Sequence, residues 1–188
     1  FKVGITTSES GGNTNRGADQ QESREGVQTT EWQNVVMTWE DGEGFKLYID
    51  GELDEPTSAM QNTAGTTALM DRFVLGDGAK AYWEGLIDEV AVWKSTLTAD
   101  NAAWLAENSI AGLGSTLGNG LIGYWPLDEG SGTTAANAAG GANAELYNDV
   151  EWVNDPERGT VLSFNGQDAY ADAGAETIPQ MTQDNDFT

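Results

Sequence analysis

Short runs in which apolar and polar residues alternate, each closed by a Gly, Asp or Asn turn signal, recur along this chain and constrain it to β structure. The run Phe45-Lys46-Leu47-Tyr48-Ile49 stops at Asp50-Gly51, after which Glu52-Leu53 begins a return strand that Pro56 ends. Upstream, residues 32–38 (WQNVVMT) lead through the Gly-rich turn at 39–44 into that strand, which predicts a hairpin. Residues 72–76 and 85–93 are two further strands. The second is predicted as one continuous run, with Leu86, Asp88, Val90 and Val92 on one face and Ile87, Glu89, Ala91 and Trp93 on the other. A strand at 121–127 stops near Pro126, and another at 161–164 precedes Asn165-Gly166. One helix is expected, over 98–108, with Thr98 as N-cap and Asp100 in its first turn. The fold class that follows is all-β.

With 188 residues, 38% of them hydrophobic, the chain is long enough to bury a core. Eight Lys and Arg against 31 Asp and Glu leave a net charge of −23, which repels nucleic-acid phosphates and anionic membrane surfaces. Cys and His are both absent, so a disulfide, a thiolate nucleophile, an imidazole base and a soft-metal site are excluded. Carboxylates and carbonyls remain, and these are ligands for Ca2+. No apolar run approaches the roughly 18–20 residues of a membrane span, so membrane insertion is not expected. The chain opens at Phe1 without Met or a leader and is expected to be a piece of a longer protein. Its acidity and its abundance of Gly, Asn, Asp and Thr suit a secreted protein at the cell surface, where carboxylates are screened.

Residues 111–120 (AGLGSTLGNG) hold four glycines and no charge, which predicts a flexible connector. Residues 7–30 and 54–68 are polar loops by composition, and 131–146 (SGTTAANAAGGANAEL) is a low-complexity stretch.

Three spaced segments, residues 31–42 (EWQNVVMTWEDG), 45–51 (FKLYIDG) and 85–93 (GLIDEVAVW), resemble the second half of a bacterial laminin-G-like, concanavalin A-like jelly-roll domain. Residues 120–132 (GLIGYWPLDEGSG) and 162–170 (LSFNGQDAY) resemble the first half of another. The resemblance implies a jelly-roll sandwich that is permuted or split across repeats. Residues 1–112 would form a C-terminal half, 113–119 a linker and 120–188 the N-terminal half of a following domain. A protomer built in that order would leave sheet edges open and would assemble head to tail with copies of itself or with adjacent repeats, sharing strands.

The resemblance also implies a structural Ca2+, held by Asp88, Asp128, Asp168 and the Gly166 carbonyl. Solvated strand-edge and turn carboxylates are the alternative reading of the same residues. Sugar recognition needs exposed aromatic platforms beside polar side chains, because a pyranose has an apolar face and a hydroxyl rim. Tyr82 and Trp83 are the candidates, although one could be core and the other an edge cover. Trp32, Trp39, Trp93, Trp125 and Trp152 fall in strand-like segments and are expected in the core, while Trp104 docks the helix. Some jelly rolls hydrolyse glycans through alternating carboxylates on one strand face. The nearest string, Glu52-Leu53-Asp54-Glu55-Pro56-Thr57, lacks the final Glu and contains Pro56, so no enzyme is expected. The expected function is a calcium-stabilised structural or adhesion module. The alternative is a carbohydrate-binding module of a polysaccharide-degrading or cell-adhesion protein.

Overall fold

The computed structural model describes residues 2–4, 20–40, 44–54, 73–78, 81–112 and 115–174. In chain order the strands are β1 (Lys2–Gly4), β2 (Gln20–Glu22), β3 (Val35–Glu40), β4 (Gly44–Ile49), β5 (Glu52–Leu53), β6 (Phe73–Leu75), β7 (Asp77–Gly78), β8 (Ala81–Tyr82), β9 (Glu84–Ile87) and β10 (Val90–Trp93). Helix α1 (Ala99–Glu107), a 3-10 turn (Ile110–Gly112) and the short helix α2 (Ser115–Gly118) follow. The chain continues with β11 (Leu121–Trp125), β12 (Thr134–Ala135), β13 (Ala144–Tyr147), β14 (Glu151–Asp155), β15 (Gly159–Asn165) and β16 (Tyr170–Gly174). Two compact units result, one of Phe1–Leu69, Trp93–Gly120 and Met181–Thr188, the other of Met70–Val92 and Leu121–Gln180.

In the first unit β3, β4 and β5 form an antiparallel sheet, running from Val35 opposite Ile49 to Glu40 opposite Gly44, with Leu53 opposite Tyr48 on the far side of β4. Asp50 and Gly51 both take left-handed backbone, φ 52 and 79, the turn whose twist matches two antiparallel strands. The sequence signal at this dipeptide is borne out. Leu47, Tyr48 and Ile49 are buried in succession, so β4 is covered on both faces. Helix α1 begins as expected: Thr98 Oγ1 accepts from Asn101 N at 3.2 Å and Asn101 Oδ1 accepts from Thr98 N at 3.0 Å, a reciprocal cap. It buries Ala102 and Leu105, while Trp104 is half-buried. The Gly-rich run 111–120, expected as a connector, carries part of the 3-10 turn and α2. Leu117 is buried there, and its carbonyl accepts from Trp93 Nε1 at 2.8 Å.

In the second unit, strands from both sides of that run pair with each other. The sheet order is β14-β15-β9, with Leu162 opposite Ile87 and Asn165 opposite Glu84. A second sheet runs β12-β13-β16-β6, with Tyr147 opposite Tyr170 and Ala171 opposite Leu75, and β10 pairs with β11. Ala135, Ala144, Ala169, Ala171 and Ala173 are buried, as are Phe164, Val161, Leu162, Trp125 and Leu127. The Trp125 ring is wholly buried and stacks on Phe73 with centroids 5.0 Å apart. Gly123 permits this, because a Cβ there would lie 2.7 Å from the Trp125 ring.

One expectation needs correction. The single strand at 85–93 is broken at Asp88-Glu89, where Glu89 has φ 48, so β9 and β10 belong to different sheets and the predicted two-face alternation does not run through. The low-complexity stretch at 131–146 holds β12, the start of β13 and core residues Ala135 and Ala144, and Asn137 is buried with its Oδ1 accepting from Tyr124 N and Ala139 N at 3.1 and 2.9 Å. Small residues make that stretch look featureless in sequence, yet close packing of a sheet face requires them. Of the tryptophans expected in the core, Trp39, Trp93 and Trp125 are buried, and Trp32 and Trp152 are half-buried. Most of the two polar segments 7–30 and 54–68 lies outside the described residues, but Gln20–Glu22 is a strand paired with Lys2–Gly4.

Candidate functional site

The break between β9 and β10 gathers charge at one end of the second unit. Asp88 is 6% exposed at its side chain, and its Oδ2 accepts from Arg158 Nε at 3.0 Å. Arg158 is delivered by the turn joining β14 and β15, where Asp155 Oδ1 accepts from the Glu157 and Arg158 amides at 2.9 and 3.0 Å. Burial raises the Asp88 carboxyl above its ordinary value, and the Arg158 hydrogen bond and charge oppose that only in part. Tyr124 Oη donates to Glu89 Oε1 at 3.3 Å. The phenol is pushed up to about 12, first by burial and then by the nearby charges and acceptor of Glu89, with smaller effects of Asp128 and Asp88.

The sign of the Tyr124 effect follows from the tighter hold of the folded state on the phenol proton. Its contribution to stability is intact below pH 10.0 and is lost as the pH rises toward about 12. In an alkaline titration read by phenolate absorbance, the step that Tyr124→Phe removes is expected near pH 12. A missing step near 10.0 would contradict the burial and the Glu89 contact.

Gly166 and Asp168 lie elsewhere. Asn165 Oδ1 caps the turn after β15, accepting from the amides of Gln167, Asp168 and Ala169 at 2.8, 3.1 and 3.1 Å, and Asn165 Nδ2 donates to Asp168 Oδ1 at 2.9 Å. The Gly166 amide donates to the Trp83 carbonyl at 2.9 Å. Because Glu84 is opposite Asn165, Asp88 stands roughly 13 Å along the strand from that turn at about 3.3 Å per residue. Ligands of one Ca2+ sit about 2.3–2.6 Å from it, so Asp88 cannot share an ion with Gly166 and Asp168. Among the described residues no group of three or more acidic side chains is placed to hold a metal. The four residues do not fit one calcium centre.

Tyr82 and Trp83 differ in role. Trp83 is half-buried, its indole donates to Leu86 O at 3.3 Å, and its amide donates to Gly76 O at 2.8 Å. Tyr82 is 37% exposed. Sequence reasoning missed a second exposed aromatic, Tyr147, which is 43% exposed and stacks on Tyr170 with centroids 4.9 Å apart and an interplanar angle of 15°. The alternation in β13 and β16 was the available signal: Ala144, Ala169, Ala171 and Ala173 are buried, so Glu145, Tyr147, Tyr170 and Asp172 face the other way.

With this geometry in hand, comparison with known proteins adds the family. The laminin G family model of the concanavalin A-like lectin/glucanases superfamily matches residues 4–103, more than half of the chain. The chain belongs to this superfamily. The match takes in the segments 31–51 and 85–93 that carry the laminin-G resemblance, and the antiparallel all-β architecture agrees with it. The chain is 34% identical over 77 residues to adhesion G-protein coupled receptor D1 of Homo sapiens, covering 38% of this chain and 9% of the receptor. The Bos taurus receptor of the same name is 34% identical over 74 residues, 38% of this chain and 8% of the receptor. The superfamily member thus spans less than a tenth of these curated relatives. No solved structure matches it. No helix among its described residues is long and apolar enough to cross a membrane.

Proposed function

We propose that this chain is a non-enzymatic recognition module of a secreted adhesion protein, with glycans as its ligands. The superfamily covers lectins and glucanases, and one observation favours the lectin side. Asp54, the middle carboxylate of the nearest glucanase-like string, is 1% exposed, and it is held by Arg24 through N–Oδ2 and Nε–Oδ1 contacts of 3.0 and 2.6 Å. A carboxylate so committed cannot reach a glycosidic bond. The similarity to receptors named for adhesion supports the same reading.

Strand sharing between copies is placed second. Exposed Val35 and Leu53 on the outer strands β3 and β5 favour it. Against it, β9, β6 and β10 already pair with β15, β16 and β11 of the same chain.

A glycan array followed by incubation with soluble polysaccharides tests the first reading. Saturable binding without release of reducing ends is expected, equally in millimolar Ca2+ and in excess chelator. Release of reducing ends would overturn it.

A further inference from the structure

We infer that Asn119 is a site of spontaneous covalent modification: its side chain closes on the Gly120 amide and loses ammonia, which turns an uncharged residue into aspartate or isoaspartate between α2 and β11. Of all the asparagines in the chain, only Asn119 and Asn165 precede a glycine. Ring closure brings the next residue's backbone nitrogen onto the side-chain Cγ, and a following residue without Cβ lets the chain reach that geometry. The two sites share this dipeptide and differ in what surrounds it. Asn119 is exposed in the turn that follows α2, and among the described residues no hydrogen bond holds its side chain. Gly120 N donates to no other described backbone group. Glycine is required at that position, since φ is 90 and a Cβ would stand 3.0 Å from Ser95 Oγ. The fold itself therefore keeps the reactive pair.

Asn165, by contrast, is tied at both reacting ends. Its Oδ1 accepts from the amides of Gln167, Asp168 and Ala169, and its Nδ2 donates to Asp168 Oδ1 at 2.9 Å and to Asn148 O at 3.3 Å. The nitrogen that would attack is engaged as well, because Gly166 N donates to Trp83 O at 2.9 Å. Closing a ring there gives up all these bonds together. At Asn119 a base takes the Gly120 amide proton and the nitrogen attacks Cγ. The N–Cγ bond forms, the Cγ–Nδ2 bond breaks, and Nδ2 takes a proton from water and leaves as ammonia. Water then opens the five-membered imide at either carbonyl, giving aspartate or isoaspartate, so water is the only co-reactant. In isoaspartate the main chain runs through Cβ, which inserts a methylene directly before Gly120. The Gly120 carbonyl accepts from Lys94 N at 2.9 Å, beside the pairing of β10 with β11. The modification loosens that contact and adds a negative charge to a chain already at −23.

The experiment incubates the full, unaltered chain at mildly alkaline pH, in buffer and in denaturant, and follows protease fragments over time by sequencing mass spectrometry. Conversion is read as the mass gained when ammonia is exchanged for water. In buffer it is expected at Asn119 at least about tenfold faster than at Asn165. In denaturant, where the turn after β15 no longer holds Asn165, the two rates are expected to come within about threefold of each other. Hydrogen exchange at the Lys94 amide is expected to be at least about threefold faster in the isoaspartyl fraction than in the parent. Equal rates at the two sites in buffer, faster conversion at Asn165, or an Asn119 that stays intact while the denatured chain reacts would overturn the assignment. An Asn119 that stays intact in both conditions would overturn it too. Unchanged exchange at Lys94 would overturn the loosening of the contact with Gly120.

Discussion

Trp125→Ala is expected to destabilise the unit that contains it by about 3–5 kcal/mol, a large share of the roughly 5–15 kcal/mol that holds a domain together. The indole is 0% exposed and stacked on Phe73, and its volume is framed by a glycine at position 123 that no larger residue could replace without striking the ring. Deleting it leaves a cavity between strands fixed by long-range pairing, which cannot collapse cheaply. Trp125→Phe is expected to cost much less, about 1–2 kcal/mol. Its buried Nε1 has no hydrogen-bond partner, so removing that N–H forfeits no bond and relieves a desolvated donor. Denaturant midpoints of the three proteins, read by far-ultraviolet circular dichroism, check this order. Equal midpoints for Trp125→Ala and the parent would refute the packing described.

Arg24→Ala is the second large effect, expected at about 3 kcal/mol by the cost of leaving a buried carboxylate uncompensated. The pair is lopsided: the Arg24 side chain is 52% exposed and the Asp54 side chain 1%. Removing Asp54 returns a guanidinium to water, whereas removing the Arg24 side chain strands a charge in the interior with only the Arg24 amide still donating to it. Asp54→Ala is therefore expected to cost less than Arg24→Ala, about 1.5–3 kcal/mol for a hydrogen-bonded charge. The reverse order, in thermal or chemical unfolding, would show that Asp54 is hydrated in the folded state.

Local chemistry makes several elements legible in the sequence itself. Asp50-Gly51 fixes a turn by backbone preference alone, and the Thr98 and Asn101 cap needs only four residues. Spaced strand segments carry the superfamily. What stays hidden depends on contacts between distant residues. Leu86 to Val92 alternates like one strand, yet Glu89 turns left-handed because β9 and β10 are drawn to different partners, β15 and β11. The alanine-rich stretch before β13 carries no hydrophobic bulk, so its burial shows only once Phe164 and Trp125 are in place. Site residues are the least legible. Asp88 and Asp168 each stand in a segment that resembles the family, but register separates them, and Tyr147 finds Tyr170 only across a strand pair.

The strand pairing across the Gly-rich run is the central claim, and the mass of the chain in solution by light scattering tests it most directly, in millimolar Ca2+ and in excess chelator. With β6, β9 and β10 satisfied by β16, β15 and β11 of the same chain, a single 20.0 kDa species at all protein concentrations is expected in both conditions. Open-ended masses that grow with concentration would contradict it, because they would mean that the strands find their partners on other copies.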